Sequence, residues 1–241
     1  MKVLLLSAGE SRRLQPLTNK IPKSLLKLGD KEIMAHLFDA FLKFGMKEFH
    51  IVTGHGHSHV KKFAKRHPIR TKLIRVKDYK TKGNVHSVYC AREIFKDDFI
   101  LLNTDTIFHH DILKDLLKHP KKNVLVIDDY KTLGEEEMKV YMNGKLISKI
   151  HKKLDPKKSV GEYIGLLKIS KETGEKLIRA LEKAIKINPK QYYEDALQIL
   201  FDWGVPFHML STKGRPCMEI DTHEDLAKAR KMIKKITNNK K

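Results

Sequence analysis

Two kinds of apolar segment alternate along this chain, and the alternation predicts an α/β protein with a mixed, mostly parallel sheet flanked by helices. Short continuous apolar runs, such as "KVLLLSA" at the N-terminus, are typical of strands buried on both faces. Segments with apolar residues three and four positions apart, such as 33–44, are typical of helices that pack one face on a sheet. Because parallel neighbours need crossover connections, the repeat of strand and helix favours an open parallel sheet.

The first 130 residues carry this repeat most clearly. Strands are predicted over 2–8, 48–54, 71–76, 97–105 and 123–129, and helices over 32–45, 57–67, 84–95 and 112–119. Gly45 closes the first helix, while Pro68 and Pro120 mark the ends of two others.

The pattern changes after residue 130. Asn143-Gly144 is a favoured two-residue turn, so a β-hairpin is predicted over 137–150. A strand is predicted over 162–170, helices over 171–185 and 193–204, a strand over 206–212 and a last helix over 222–236. Thr222 is the expected N-cap of that last helix.

Composition limits the class of protein. The 241 residues include 49 Lys+Arg against 29 Asp+Glu, a formal charge of +20, which first suggests a nucleic-acid-binding module. Only 7% of residues are aromatic and the lysines are scattered, which argues against that alternative. No apolar run approaches the roughly 18 residues of a membrane span. Two cysteines cannot form a disulfide framework, so we expect a cytoplasmic protein.

The loop after the first strand has the residue types of a phosphate-binding loop. Ala8 and Gly9 allow close approach of the backbone to a ligand, and Ser11, Arg13 and Lys23 supply donors for phosphate oxygens. The loop matches neither G-x-x-x-x-G-K-[ST] nor G-x-G-x-x-G.

The segment "LSAGESRRLQPLTNKIPKSLLKL" resembles the signature of the sugar-phosphate and phospho-alcohol nucleotidyltransferases, A-G-x-G-x-R-L-x-P-L-T-x-x-x-P-K-x-L-L. Ser11 stands where the second glycine of that signature is usual. The resemblance implies a Rossmann-like fold of the nucleotide-diphospho-sugar transferase type. It also implies a reaction in which a nucleoside triphosphate (NTP) and a phosphomonoester give an NDP-linked product and pyrophosphate.

The resemblance also implies a catalytic set. Arg13 would neutralise the β- and γ-phosphates, and Lys23 would stabilise the α-phosphate in the transition state. Asp105, at the end of the segment "FILLNTD", and Asp221, in "CMEIDTHEDLAKA", would hold Mg²⁺, with Glu219 as a lesser candidate. In an extended segment, residues 219 and 221 point to the same face, so both could serve one cation.

The substrate contacts are carried over from the same resemblance. The nucleotide contacts would be Ala8, Gly9, Ser11, Gly54, Asn84 and Ser87, with His55 in a position where tyrosine is usual. The segments "EEEMKVYMNGKLISKI", "GEYIG" and "YYEDAL" resemble cytidylyltransferases that act on phosphocholine, aminoethylphosphonate and inositol-1-phosphate. Lys139 would contact the acceptor phosphate or phosphonate, and Glu162 and Glu194 would line the acceptor pocket.

The identity of the acceptor stays open in the sequence. A cationic choline or aminoethyl head favours aromatic faces and carboxylates, which Tyr192, Tyr193 and Trp203 together with the two glutamates could supply. An inositol head instead needs several hydrogen-bonding partners. A uridylyl- or thymidylyltransferase and a catalytically dead regulator with the same fold are the alternative functions.

Two histidine groups raise the question of a transition-metal site. His55, His57 and His59 follow the H-x-H-x-H pattern, and His109-His110 follow Asp105. With no cysteine or carboxylate ligand near the first group, we interpret it as a polar loop, although the sequence leaves metal binding open.

The organisation predicted from these features is one nucleotidyltransferase domain over 1–241. Its nucleotide-binding half spans about 1–130, its acceptor-binding half about 131–233, and a basic tail 234–241. The expected partners are CTP or another NTP and a small phosphomonoester or phosphonate, with no membrane span; homo-oligomerisation is left open.

Overall fold

The computed structural model describes residues 1–67 and 69–237, and an open sheet organises them. The strands are β1 Lys2–Ser7, β2 Lys27–Leu28, β3 Lys31–Glu32, β4 Glu48–Thr53, β5 Arg70–Arg75, β6 Phe99–Asn103, β7 Thr106–Phe108, β8 Val124–Asp128, β9 Lys139–Asn143, β10 Leu146–His151, β11 Gly161–Ile169, β12 His208–Ser211 and β13 Cys217–Glu219. The helices are α1 Ile33–Leu42, α2 His57–Lys65, α3 Asn84–Cys90, α4 His110–Lys118, α5 Lys171–Ile187, α6 Tyr193–Asp202 and α7 His223–Thr237.

The nine-stranded main sheet runs in the order β10-β9-β11-β6-β1-β4-β5, with β8 and then β12 paired beyond β11. Strands β6, β1, β4 and β5 are mutually parallel, while β11 is antiparallel to β6, β8 and β9. The prediction of a mixed, mostly parallel sheet flanked by helices is therefore confirmed.

Both faces of the sheet are covered, which explains why its central strands read as continuous apolar runs. Helices α1, α2, α4 and α7 pack on one face around a cluster that includes Phe38 and Phe63. Helices α3, α5 and α6 pack on the other face around Leu181 and Leu200. Alternate residues of β1 supply the two clusters, with Val3 and Leu5 facing one and Leu4 the other.

The predicted strands and long helices are all present, with ends shifted by a few residues. Two short antiparallel pairs were not predicted: β2 with β3, and β7 with β13. Helix α7 continues to Thr237, so the first four residues of the predicted basic tail, 234–237, are helical. Pro68 and residues 238–241 lie outside the described residues. Within the described chain, no helix is both long and apolar enough to cross a membrane.

The parallel register places the functional loops together. Ser7 at the end of β1 is opposite Thr53 at the end of β4, and Asn103 at the end of β6 is opposite Leu6. The loops that follow these strands therefore leave from one edge of the sheet, the edge where ligands bind in open α/β proteins.

Candidate active site

The loop after β1 is folded back on the ends of its neighbouring strands. Thr18 donates its hydroxyl to the Ser11 carbonyl at 2.9 Å, and the His55 ring contacts the Thr18 carbonyl at 2.7 Å. The His55 backbone N–H donates to Ala8 at 3.0 Å. Ser11 adopts φ 50°, ψ 51°, a left-handed conformation that glycine adopts without strain. This conformation explains why glycine is usual at that position of the signature.

Lys23 stands between two carboxylates at the centre of the site. Its Nζ lies 3.0 Å from Asp105 Oδ2 and 2.7 Å from Asp221 Oδ1, and the residue is only 8% exposed. The Arg13 guanidinium lies 2.6 Å from the other oxygen of Asp221. The two predicted catalytic cations and the two predicted metal ligands thus form one connected cluster, although Asp221 is about 200 positions from Arg13 and Lys23.

The unpredicted β7–β13 ribbon explains how the two aspartates meet. Asp105 immediately precedes β7, and Glu219 at the end of β13 pairs with Thr106. The Ile220 N–H then donates to the Asp105 carbonyl at 3.0 Å. This backbone pairing brings residues 105 and 219–221 side by side.

The charges in this cluster shift one another's pKa values. Burial by itself would lower the pKa of Lys23, but Asp105 and Asp221 outweigh burial and raise it. Burial opposes ionisation of Asp221, yet Lys23 and Arg13 lower its pKa below the ordinary value. Glu219 differs: burial, together with repulsion from Asp105 and other carboxylates, raises its pKa well above the usual range. These contacts therefore favour the ionised forms of Lys23 and Asp221, whereas Glu219 favours the neutral form.

A cleft of about 680 Å³ opens from this cluster toward β11 and the start of α6. It is acidic, although the chain as a whole is strongly basic. Among the described residues, its lining has four basic side chains, Arg13, Lys131, Lys152 and Lys228, against nine acidic ones, Asp105, Asp128, Glu136, Glu137, Glu162, Glu194, Glu219, Asp221 and Asp225. The +20 charge therefore lies outside the cleft.

Lys139 does not contact the cleft as the sequence predicted. Its Nζ donates to the carbonyls of Gly134, Glu135 and Glu137 at 2.8–3.1 Å, and the residue is 1% exposed. An ammonium group has three N–H donors, so none is left for an acceptor phosphate. Lys139 instead holds the 134–137 loop, and its assignment as a phosphate contact is corrected to this structural role.

Lys131 is a basic side chain at the end of the cleft near Glu162, the predicted acceptor end. Its Nζ lies 2.9 Å from Glu162 and 3.0 Å from Glu137. Burial opposes its charge, but the two glutamates outweigh burial and raise the pKa of Lys131 well above its ordinary value. Burial raises the pKa of Glu162 despite Lys131. Glu162, which the resemblance assigns to the acceptor pocket, lines this cleft with Lys131 as its partner.

Glu194 lies at the same end of the cleft and is 6% exposed. Its Oε2 is buried without a hydrogen-bond partner among the described residues, and burial raises its pKa to about 8. The preceding residue, Tyr193, is fully packed, and its hydroxyl lies 2.9 Å from that of Tyr163. Burial therefore favours the neutral form of the Glu194 carboxyl in the cleft.

The predicted nucleotide contacts differ in the space around them and in their burial. A Cβ on Gly54 would lie 2.6 Å from the Ala8 carbonyl and 2.7 Å from the Tyr79 ring, whereas one on Gly9 would meet open space. Asn84 lines the cleft, and its side-chain oxygen accepts the Tyr193 N–H at 2.7 Å. Ser87 is buried within α3.

The H-x-H-x-H histidines do not converge on one point. His55 binds the Thr18 carbonyl, and the His57 ring contacts the Thr53 hydroxyl at 2.8 Å. In the described part of the chain, three or more histidine, cysteine or carboxylate side chains bring ligand atoms within 4.8 Å of one another only at His109, His110 and Asp111, at the start of α4 and outside the cleft lining.

Sequence reasoning missed several cleft residues. Asp128 ends β8, and Lys131 follows three residues later. The predicted strand over 123–129 corresponds to β8. Inspecting the residues that follow this strand, as was done for the earlier predicted strands, would have found both. Glu137 and Lys152 had no such signal, because a loop and a hairpin bring them to the cleft.

The donor set at Asp105 and Asp221 fits a hard divalent cation. Both carboxylates lie within 3.0 Å of one point, the Lys23 Nζ, and Asp105 Oδ1 is buried without a partner among the described residues. Mg²⁺ prefers oxygen ligands from one or two carboxylates together with substrate phosphates.

An open α/β sheet carries, at its carboxyl edge, paired carboxylates and basic side chains suited to bind phosphate. This combination is typical of enzymes that act on nucleotides. The chain belongs to the MobA-like NTP transferase domain family, which matches residues 3–159. The resemblance to nucleotidyltransferases that the first loop carries is therefore confirmed at the level of the family.

Two curated relatives share much of the chain. The bifunctional IPC transferase and DIPP synthase of Aquifex aeolicus is 28% identical over 238 residues, which cover 96% of this chain and 51% of the relative. This chain therefore spans about half the length of that protein. The CTP:phosphoglutamine cytidylyltransferase of Campylobacter jejuni is 26% identical over 187 residues, 70% of this chain and 73% of the relative.

Two solved structures share the fold. The inositol-1-phosphate CTP transferase from T. maritima superposes with a TM-score of 0.85 at 20% identity and covers 99% of this chain and 96% of its own. The CTP:phosphocholine cytidylyltransferase from Streptococcus pneumoniae gives a TM-score of 0.78 at 19% identity, covering 96% of this chain and 98% of its own.

Proposed function

We propose that this protein is a Mg²⁺-dependent cytidylyltransferase that transfers CMP from CTP to the phosphate of a small phosphorylated alcohol and releases pyrophosphate. One observation carries the proposal: Lys23 and Arg13 are joined to Asp105 and Asp221 at the mouth of a cleft with room for two small phosphate-bearing substrates. The relative from Campylobacter and the two solved structures are named for CTP-dependent reactions, which supports CTP over other NTPs.

In the proposed reaction, an oxygen of the acceptor phosphate attacks the α-phosphorus of CTP. The bond from that phosphorus to the bridging oxygen of the β-phosphate breaks, and pyrophosphate leaves with the electron pair. Charge develops on the α-phosphate and the leaving group, so positioned cations accelerate the step more than a proton transfer would. Lys23 would stabilise the α-phosphate, and Arg13, which is more exposed, would bind the β- and γ-phosphates.

Asp105 and Asp221 are the residues that would hold Mg²⁺, which when bound supplies positive charge to the phosphate oxygens. The same carboxylates bind Lys23 and Arg13 in the unliganded site. The two basic side chains would therefore exchange carboxylate partners for phosphate partners when substrate binds. The carboxylate pairing would keep the basic groups in place until CTP binds.

For the acceptor, we propose a polyhydroxy head group, as in an inositol phosphate, over a quaternary ammonium group. Tyr192, Tyr193 and Trp203 are the aromatic residues that could contact a quaternary ammonium group. Tyr193 is buried against Tyr163, and Trp203 contacts Lys183 at the far end of α6. Tyr192 remains at the cleft, but Lys152 already lies 5.6 Å from its ring. A trimethylammonium group needs an aromatic cage and cannot donate hydrogen bonds to buried carboxyl oxygens such as Glu194 Oε2.

The test is a matrix of CTP, UTP, dTTP and GTP against inositol-1-phosphate, phosphocholine, aminoethylphosphonate and glucose-1-phosphate. Pyrophosphate release and product mass are measured with purified protein and Mg²⁺. We expect CTP with inositol-1-phosphate to give the highest kcat/KM, about 100-fold above phosphocholine, since buried hydrogen-bonding groups reject ligands that leave them unpaired. Preference for UTP or dTTP with glucose-1-phosphate would support the sugar nucleotidyltransferase alternative instead. Pyrophosphate release that Lys23→Met leaves unchanged would overturn the proposal.

A further inference from the structure

The N-terminus of α3 and the segment that leads into α6 are bonded to each other. The Gly83 N–H donates to Pro189 at 2.8 Å, and the Val85 N–H to Gln191 at 3.4 Å. A Cβ on Gly83 would lie 2.0 Å from the Gln191 carbonyl oxygen, so only glycine permits this approach. The start of α3 carries predicted nucleotide contacts, whereas α6 carries Glu194 at the acceptor end. The two substrate regions are therefore in direct backbone contact.

Asn84 adds a side chain to this junction. Its Oδ1 accepts the Tyr193 N–H at 2.7 Å, which satisfies one of the N–H groups left free in the first turn of α6. A backbone N–H can only donate, so the amide oxygen must face Tyr193 and the NH₂ group must point elsewhere. No described residue accepts a hydrogen bond from that NH₂, and Asn84 lines the cleft.

The turn that Asn84 holds determines where the acceptor-side groups lie. Tyr193 is fixed at its other end by the buried contact between its hydroxyl and that of Tyr163, a neighbour of Glu162 on β11. Glu194 follows Tyr193 directly and aims a buried, unpartnered oxygen into the cleft. A shift of the first turn of α6 would therefore move Glu194 relative to the acceptor.

We propose that Asn84 is a positioning residue that serves both substrates of the transfer reaction. Its amide oxygen holds the first turn of α6, so that Glu194 faces the acceptor, while its NH₂ group stays available to the nucleotide. The inference rests on the proposed function for the identity of the substrates. It differs from the sequence prediction, in which Asn84 contacts the nucleotide alone.

Two variants separate the two roles. Asn84→Asp keeps an oxygen that accepts the Tyr193 N–H but removes the NH₂ donor, whereas Asn84→Ala removes both. Hydrogen exchange of the Tyr193 amide reports the first role without turnover, and KM values for acceptor and CTP report both roles during turnover. The aspartate variant is thus the matched control for the alanine variant.

In Asn84→Ala, we expect the Tyr193 amide to exchange about tenfold faster and the acceptor KM to rise about tenfold, the change given by loss of one hydrogen bond. In Asn84→Asp, we expect wild-type exchange and an acceptor KM within about twofold of wild type, with a raised CTP KM from the lost donor. kcat should change less than the acceptor KM in both variants.

The role of Asn84 is overturned if Asn84→Ala leaves Tyr193 exchange unchanged, or if it raises the CTP KM while the acceptor KM stays at the wild-type value. Failure of the proposed function gives a different result, because wild-type protein would then release no pyrophosphate with any substrate pair. Even if the protein releases no pyrophosphate, hydrogen exchange of the Tyr193 amide still tests whether Asn84 holds the first turn of α6.

Discussion

Asp221 and Glu194 lie at opposite ends of the cleft, and the pKa values of their carboxyl groups are shifted in opposite directions. At the nucleotide end, Asp221 binds both Lys23 and Arg13, which keep its pKa below the usual range despite burial. At the acceptor end, Glu194 is buried without a cation, and its pKa is raised to about 8. Asp221 thus keeps a charge that is paired with cations, while Glu194 keeps a proton.

This difference matches the chemistry proposed for each end. Phosphates and a divalent cation bring strong charges, so the nucleotide end needs ionised groups that can change partners. A hydroxylated acceptor brings no charge in its head group, and a neutral carboxyl can both donate and accept hydrogen bonds to it. Lys131 lies between Glu162 and Glu137 and offsets part of their negative charge.

Removal of the central cation is the strongest test of the comparison. In Lys23→Met, we expect kcat to fall about 10³-fold, because the developing charge on the α-phosphate loses its positioned partner. Steady-state pyrophosphate release measures this. Lys131→Met is the matched control at the acceptor end and should raise mainly the acceptor KM. Equal losses of kcat in the two variants would contradict the division of roles.

The paired carboxylates are tested next, through metal binding. We expect Asp221→Asn to lower kcat on the order of 10²-fold at fixed Mg²⁺, because one candidate ligand loses its charge. A titration with Mn²⁺ in the presence of CTP, monitored by electron paramagnetic resonance, should show that the variant binds Mn²⁺ more weakly than wild type. Asp225→Asn is the control, since the Asp225 carboxylate accepts the backbone N–H groups of Asp221 and Thr222. If metal affinity is unchanged in Asp221→Asn, Asp221 is not a ligand.

The proton at the acceptor end should appear in the pH dependence of stability. Between the ordinary glutamate pKa and about 8, folded protein retains the Glu194 proton and unfolded protein has lost it. Stability should therefore fall as pH rises through this window, by up to about 1.4 kcal/mol per pH unit. Urea unfolding at pH values from 5 to 9 measures the free energy of unfolding. The variant Glu194→Gln has no carboxyl group at this position and should lack this pH dependence. Parallel curves for wild type and variant would show that Glu194 ionises normally.

The smallest expected effect concerns the backbone of the first loop. Ser11 has φ 50°, so Ser11→Gly should relieve strain while adding entropy to the unfolded chain, a net change within about 0.5 kcal/mol. Ser11→Val should lower stability by about 1–2 kcal/mol, because a branched side chain is poorly tolerated there. Thermal unfolding distinguishes the two. A neutral valine variant would mean that residue 11 is not left-handed in the folded protein.

The two ends of the cleft also differ in how well the sequence predicted them. The nucleotide end depends on a contiguous loop, so the spacing of Arg13 and Lys23 could be read directly and compared with a signature. The acceptor end is assembled from β8, a loop, a hairpin and the start of α6. Lys139 shows the consequence: the resemblance to cytidylyltransferases implied a phosphate contact, but its Nζ donates to three backbone carbonyls.

The sequence by itself determined the α/β class, the order of the longer strands and helices and the motif of the first loop, because periodicity and motif spacing are local properties. Only the tertiary structure decided which charges meet. Asp221 reaches Lys23 through the β7–β13 ribbon, and Asn84 reaches Tyr193 across 109 positions of chain. The strongly basic composition likewise gave no sign of an acidic cleft, because burial and pairing depend on packing and not on the count of residues.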